Sequence, residues 1–172
     1  MKKLVLSAFL AIPVMAFAAE LADGWTQTGS AEMTVGGETM TLLVAEHPDA
    51  RPFVVRRNTG GLVTINAEAA GLNDAGAPDG PFVSFILGPY SGNALPGEAS
   101  FQLFTANGIL AADVDTGSSV ALSDATISDD GALSFTFEGT AVPVENKDGI
   151  FAPIEGGAPV TVSGTFSGKL AE

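Results

Sequence analysis

The stretch Leu133-Ser134-Phe135-Thr136-Phe137-Glu138 decides the fold. Apolar and polar residues alternate with period two, so an extended chain sends Leu133, Phe135 and Phe137 to one face and Ser134, Thr136 and Glu138 to the other. A helix would scatter both sets around its axis. The pattern therefore reads as a strand packed on one side and wetted on the other. Just upstream, Asp129-Asp130-Gly131 has the chemistry of a bulged hairpin turn, with Gly131 free to take the left-handed position and a partner strand ending near Ser128.

The same alternation runs through Val160-Thr161-Val162-Ser163-Gly164-Thr165-Phe166-Ser167-Gly168-Lys169-Leu170. Val160, Val162, Phe166 and Leu170 share a face with Gly164 and Gly168, and Thr, Ser and Lys fill the opposite face. Toward the N-terminus, Gly36-Gly37 separates two strand-like runs at 31–35 and 38–45 by the two residues of a primed turn. Further strands are expected at 53–57, 62–69, 82–87, 100–105, 109–114 and 120–127. Segments 67–72 and 99–106 also fit helical spacing, but Gly71 and Gly108 stop both early. With 21 Gly and 10 Pro in 172 residues, long helices have little room. The breaker-rich stretches 71–81 and 143–159 read as loops. Together these signals give an all-β chain, an antiparallel β-sandwich or barrel of about nine or ten short strands.

The N-terminus has a different character. Met1-Lys2-Lys3 is followed by an apolar run to Met15 and by Ala16-Phe17-Ala18, the basic, apolar and small-residue sequence of a cleaved export signal. The expected cut after Ala18 leaves a single domain at 19–172, periplasmic or secreted from a bacterial cell. Taking Lys2 and Lys3 from the 7 basic residues leaves five against 20 acidic ones, so the net charge moves from -13 to -15. Such a field excludes nucleic-acid binding through a basic surface. The absence of cysteine excludes disulfides, thiolate metal sites and a cysteine nucleophile. The polar outward faces, the single Trp and single Tyr, and the Lys169-Leu170-Ala171-Glu172 terminus argue against insertion into a membrane as a barrel.

Few residues stand out as chemistry. His47 is the only histidine, and its setting, Glu46-His47-Pro48-Asp49-Ala50-Arg51-Pro52, has the composition of a turn. With no Gly-x-Ser-x-Gly motif to supply a nucleophile, it reads as a solvated loop residue. Arg51, Arg56 and Arg57 lie within seven positions and make up most of the cations downstream of the leader. They form either a dock for an anionic group, together with His47, or internal counter-ions for carboxylates. Adjacent Arg56 and Arg57 point to opposite faces of a strand, which favours internal pairing. Asp113-Val114-Asp115-Thr116-Gly117-Ser118-Ser119 begins like a calcium loop but lacks the later ligands of an EF-hand. Asp113 and Asp115 could hold calcium only with help from a distant loop such as Asp74 and Asp79, and a plain strand-end turn is the favoured reading. No other cofactor is expected.

The segment 132–170, with its hairpin signal and closing Val-Ser-Gly-Thr-Phe-Ser-Gly strand, resembles the end of uncharacterised secreted bacterial all-β proteins of lipocalin-like type. The resemblance covers about the last quarter of the chain and implies the fold alone, since that group has no agreed activity to carry over. The function expected is that of a non-catalytic exported β-domain binding a protein partner or a small ligand. The alternatives are a carboxylate-dependent hydrolase or lyase, which needs a cleft holding two acids with displaced pKa values, and a structural envelope component, which would self-associate through edge strands.

Overall fold

The computed structural model describes residues 20–90, 95–148 and 150–171. The export signal expected at 1–18 lies outside them. Among the described residues eleven strands follow one another without a helix: β1 (Thr26–Val35), β2 (Glu38–Glu46), β3 (Val54–Thr59), β4 (Leu62–Leu72), β5 (Pro78–Tyr90), β6 (Glu98–Thr105), β7 (Gly108–Ala112), β8 (Val120–Ile127), β9 (Ala132–Lys147), β10 (Ile150–Pro153) and β11 (Val160–Lys169). Eight of them close an antiparallel barrel in the order β9-β11-β1-β2-β4-β5-β6-β7 and back to β9, and β3, β8 and β10 are additional. Of the two expected architectures, the barrel is the one formed.

The expected hairpins are present. Gly36 and Gly37 turn between β1 and β2 with φ of 58° and 94°, the doubly positive backbone of a primed turn that side chains resist. Gly131, at φ 82°, closes the β8–β9 turn, its N–H donating to Ser128 O. Two expectations change. The stretch 71–81 is mostly strand, because β4 runs to Leu72 and β5 starts at Pro78, leaving only 73–77 as a turn. Within 143–159, β9 continues to Lys147 and β10 returns beside it. Segments 67–72 and 99–105 are strand, the favoured reading of both, and are paired on both edges.

The registers show that two staves of the barrel are composite. Along β4, Leu43 of β2 stands opposite Ala70 and Val54 of β3 opposite Ala67, so β3 continues the line of β2 after the chain has been expelled over 47–53. Along β6, Ala112 of β7 stands opposite Phe101 and Val120 of β8 opposite Ala99, with 113–119 expelled between them. The additional strands β3 and β8 are thus the second halves of interrupted staves, and each interruption throws out one irregular loop.

The barrel's middle is filled. Phe85 lies 5.4 Å from the ring of Phe101, 5.2 Å from Phe135, 4.8 Å from Phe137 and 5.8 Å from Phe166, and Phe135 stacks on Phe166 at 5.0 Å. Met33, Ile65, Leu87, Leu103 and Leu133 complete the packing, each almost fully buried. The alternation read in β9 and β11 places Leu133, Phe135, Phe137, Val162 and Phe166 inside, as expected.

Candidate functional site

The two expelled loops each line a cleft. The larger, of about 680 Å³, opens where β1 begins and β2 and β11 end, and is walled by Thr26, Glu46, His47, Pro48, Lys169 and Leu170 among others. The smaller, of about 330 Å³, is walled by Glu98, Ser100, Asp113, Val114, Ser118 and Ser119 with the end of β5.

In the larger cleft His47 is half-buried rather than the free loop residue expected. Its ring lies 5.1 Å from Trp25, which in turn lies 6.3 Å from the buried Phe53. Nδ1 accepts the backbone N–H of Asp49 at 3.1 Å, so the proton of the neutral ring is on Nε2. That nitrogen packs over Gly24, where a Cβ would come within 2.6 Å of it and where φ is 85°. Nδ1 is therefore engaged within the loop, and the ring packs between Gly24 and Trp25 just ahead of β1.

The arginine cluster divides. Arg51, carried on the same loop, places Nη1 2.6 Å from Oε2 of Glu68 and its guanidinium carbon 6.0 Å from the ring centre of Phe82. Glu68 points out from β4 but is only 6% exposed, because the 47–53 loop lies across it. Burial pushes its carboxyl above the ordinary range, and the adjacent charge of Arg51 pulls it back part of the way. Internal pairing thus accounts for Arg51 alone. Arg56 and Arg57 sit on β3, exposed, opposite Ile65 and Thr64, and make no ion pair among the described residues.

Glu68 and Trp25 were not singled out in the sequence. Glu68 is one of 20 acids, and only its setting in Ala67-Glu68-Ala69-Ala70 marks it, a lone charge in a run of small residues. Burial of that side chain depends on a loop fifteen or more positions upstream, which local pattern does not reveal.

In the smaller cleft, Asp113 Oδ1 accepts the backbone N–H of Thr116 at 2.8 Å, and the Thr116 hydroxyl meets the N–H and C=O of Asp113 at 2.9 and 3.0 Å. This closed turn is the strand-end reading of that sequence. Asp115 is exposed, and no group of three His, Asp or Glu side chains converges to hold a metal among the described residues. Asp74 and Asp79 lie at the β4–β5 turn, outside the residues that line this cleft. One further carboxyl is displaced: Asp130, in the β8–β9 turn, is held below the usual range by the Ser128 hydroxyl and the Ala132 N–H. Glu68 and Asp130 belong to different elements, one moved up by burial and the other down by hydrogen bonds.

The outer wall also has two characters. Across β2, β4, β5, β6, β7 and β9 one register row reads Leu43, Ala70, Phe82, Phe104, Ile109 and Val144. Phe151 of β10 packs on Phe104 at 5.9 Å, with Ile150 beside it 71% exposed. A row across β2, β1, β11, β9 and β8 reads Thr41, Glu32, Thr165, Thr136 and Ser123. No helix among the described residues is long and apolar enough to cross a membrane. No protein-family model, curated protein or solved structure matches the chain.

Proposed function

We propose that the chain is a non-catalytic exported β-domain that binds a protein partner on its outer surface. The observation that carries this reading is the filled interior: five phenylalanine rings occupy the space where a carrier barrel of this size would hold its ligand. Recognition is left to the wall and to the loops. The half-buried outward row through Phe82 and Phe104 to Phe151, with exposed Ile150 at its end, supports a protein partner, since outward apolar groups side by side favour such contacts. The cleft of about 680 Å³ beside His47 and Lys169 supports a second reading, a small polar ligand held at the barrel's end.

Titration with an apolar fluorescent fatty-acid analogue tests the first reading against an interior carrier. No saturable binding to the native protein is expected, because entry would require displacing the Phe85 cluster. Stoichiometric binding that shifts the Phe85 and Phe137 ring resonances would contradict it. The second reading is separately visible, because Trp25, the single tryptophan, abuts His47 and reports on that cleft through its fluorescence.

A further inference from the structure

We infer that the outer edge of β3 is a strand-addition site for an extended, acidic segment of a protein partner. This rests on the surface-binding reading above and names the partner's chemistry. Three observations on one short ribbon carry it.

The first is an open backbone edge. Glu68 N–H donates to Phe53 O, which fixes the phase of the β3–β4 ladder. With Val54 opposite Ala67, residues 55, 57 and 59 turn their N–H and C=O groups toward β4, and residues 54, 56 and 58 turn theirs away. Val54 O already accepts a strand-end amide on that side, from Ala171 N–H at 3.0 Å. Beyond it, nothing among the described residues bonds to the outward groups of Arg56 and Asn58, since β3 pairs only with β4. The edge is one that accepts a strand, and among the described residues it is taken for only its first residue.

The second is unspent positive charge. Arg56 and Arg57 are exposed and unpaired among the described residues in a chain whose net charge is -13. The third is that the ribbon itself carries no acid. From Val54 to Ala67 the ribbon contains no Asp or Glu, and neither does the β5 segment 85–90 paired beside it. At physiological salt, charges more than about 8 Å away are largely screened, so along the ribbon an approaching segment meets the two guanidinium groups despite the acidic whole. They lie on opposite faces of the strand, a placement unsuited to a single phosphate. It suits an added strand whose carboxylates alternate above and below the sheet. A second copy of this chain is a poorer occupant, since antiparallel pairing of β3 with itself would bring the two arginine pairs together.

Fluorescence anisotropy with a short fluorescein-labelled peptide alternating valine and aspartate tests the proposal at physiological ionic strength. Saturable binding is expected, with none for the valine–lysine counterpart. Arg56→Glu with Arg57→Glu should weaken it by about tenfold or more, as loss of charge-assisted contacts does. Asn58→Pro removes an outward N–H without touching the ladder to β4 and should weaken it likewise. A peptide with alternate amides N-methylated, which keeps the charge and needs no variant to fold, should not bind. Equal binding of the methylated peptide would overturn strand addition, and absence of binding by the unmodified peptide would overturn the proposal outright. In both cases the surface-binding reading would stand or fall separately on the fatty-acid titration. A concentration-dependent dimer abolished by Asn58→Pro would instead assign the edge to a second copy and overturn the acidic partner.

Discussion

The two expelled loops, 47–53 and 113–119, arise in the same way and end differently. Each interrupts a stave, and each lets the chain resume along the strand it left. After 113–119 the chain resumes as β8, whose first residues are flanked on both sides: Leu122 N–H donates to Gly97 O at 2.7 Å beside β6, and Ser119 O accepts Thr140 N–H beside β9. After 47–53 it resumes as β3, which has β4 on one side and, among the described residues, only Ala171 on the other. At the second interruption the chain regains partners on both sides as soon as it resumes. The first leaves an edge, and the free arginines are on that edge. An interruption becomes a candidate binding surface when no neighbour follows the resumed strand.

Both loops rest on the same core, and the largest effect should come from removing it. Phe85→Ala takes away the ring that four others touch and should cost about 3–5 kcal/mol in denaturant unfolding. A loss under about 1 kcal/mol would mean that the rings do not pack as described.

The next effect separates the loops. Arg51→Ala leaves the buried Glu68 carboxylate without its partner and should cost about 1–2 kcal/mol at neutral pH. That is less than the 3–5 kcal/mol of a fully buried pair, because the Arg51 side chain is 66% exposed. The loss should shrink in acid, where Glu68 is neutral. In the unmodified protein the folded state binds the Glu68 proton more tightly than the unfolded chain does, because burial raises its pKa. The associated stability is fully present below the ordinary carboxylate range and is lost as pH rises through the raised value. The protein should therefore lose stability relative to Glu68→Gln over that rise, and parallel stability–pH curves would contradict the burial of Glu68.

The other loop predicts smaller changes. Asp113→Ala removes the acceptor for Thr116 N–H and should cost about 0.5–1.5 kcal/mol. Millimolar calcium should leave the melting temperature unmoved, because Asp113 is committed to its turn and no third ligand converges on it. An upward shift abolished by Asp113→Ala would make this loop a metal site after all.

Much of the barrel is legible in residue pattern, because a strand with one packed face must alternate, as β9 and β11 do. The interrupted staves are not. The 47–53 and 113–119 stretches carry ordinary turn residues, and nothing local says that the chain returns to the line it left; only the registers on β4 and β6 show it. β10 escaped because Pro143, Pro153, Gly156 and Gly157 mask a four-residue strand inside what looks like a loop. The cation cluster was visible as a cluster. Its division into one buried pair and two free arginines depends on Glu68 being covered from a distance.

Amide hydrogen exchange along β3 and β8 tests the difference between the loops most directly. In the free protein the amides of Arg56 and Asn58 should exchange fast while those of Val55, Arg57 and Thr59 exchange slowly, an alternation absent from Ala121 and Leu122, which should both be protected. Uniform protection along β3 would mean that its outer edge is already occupied and would contradict the open site on which the account depends.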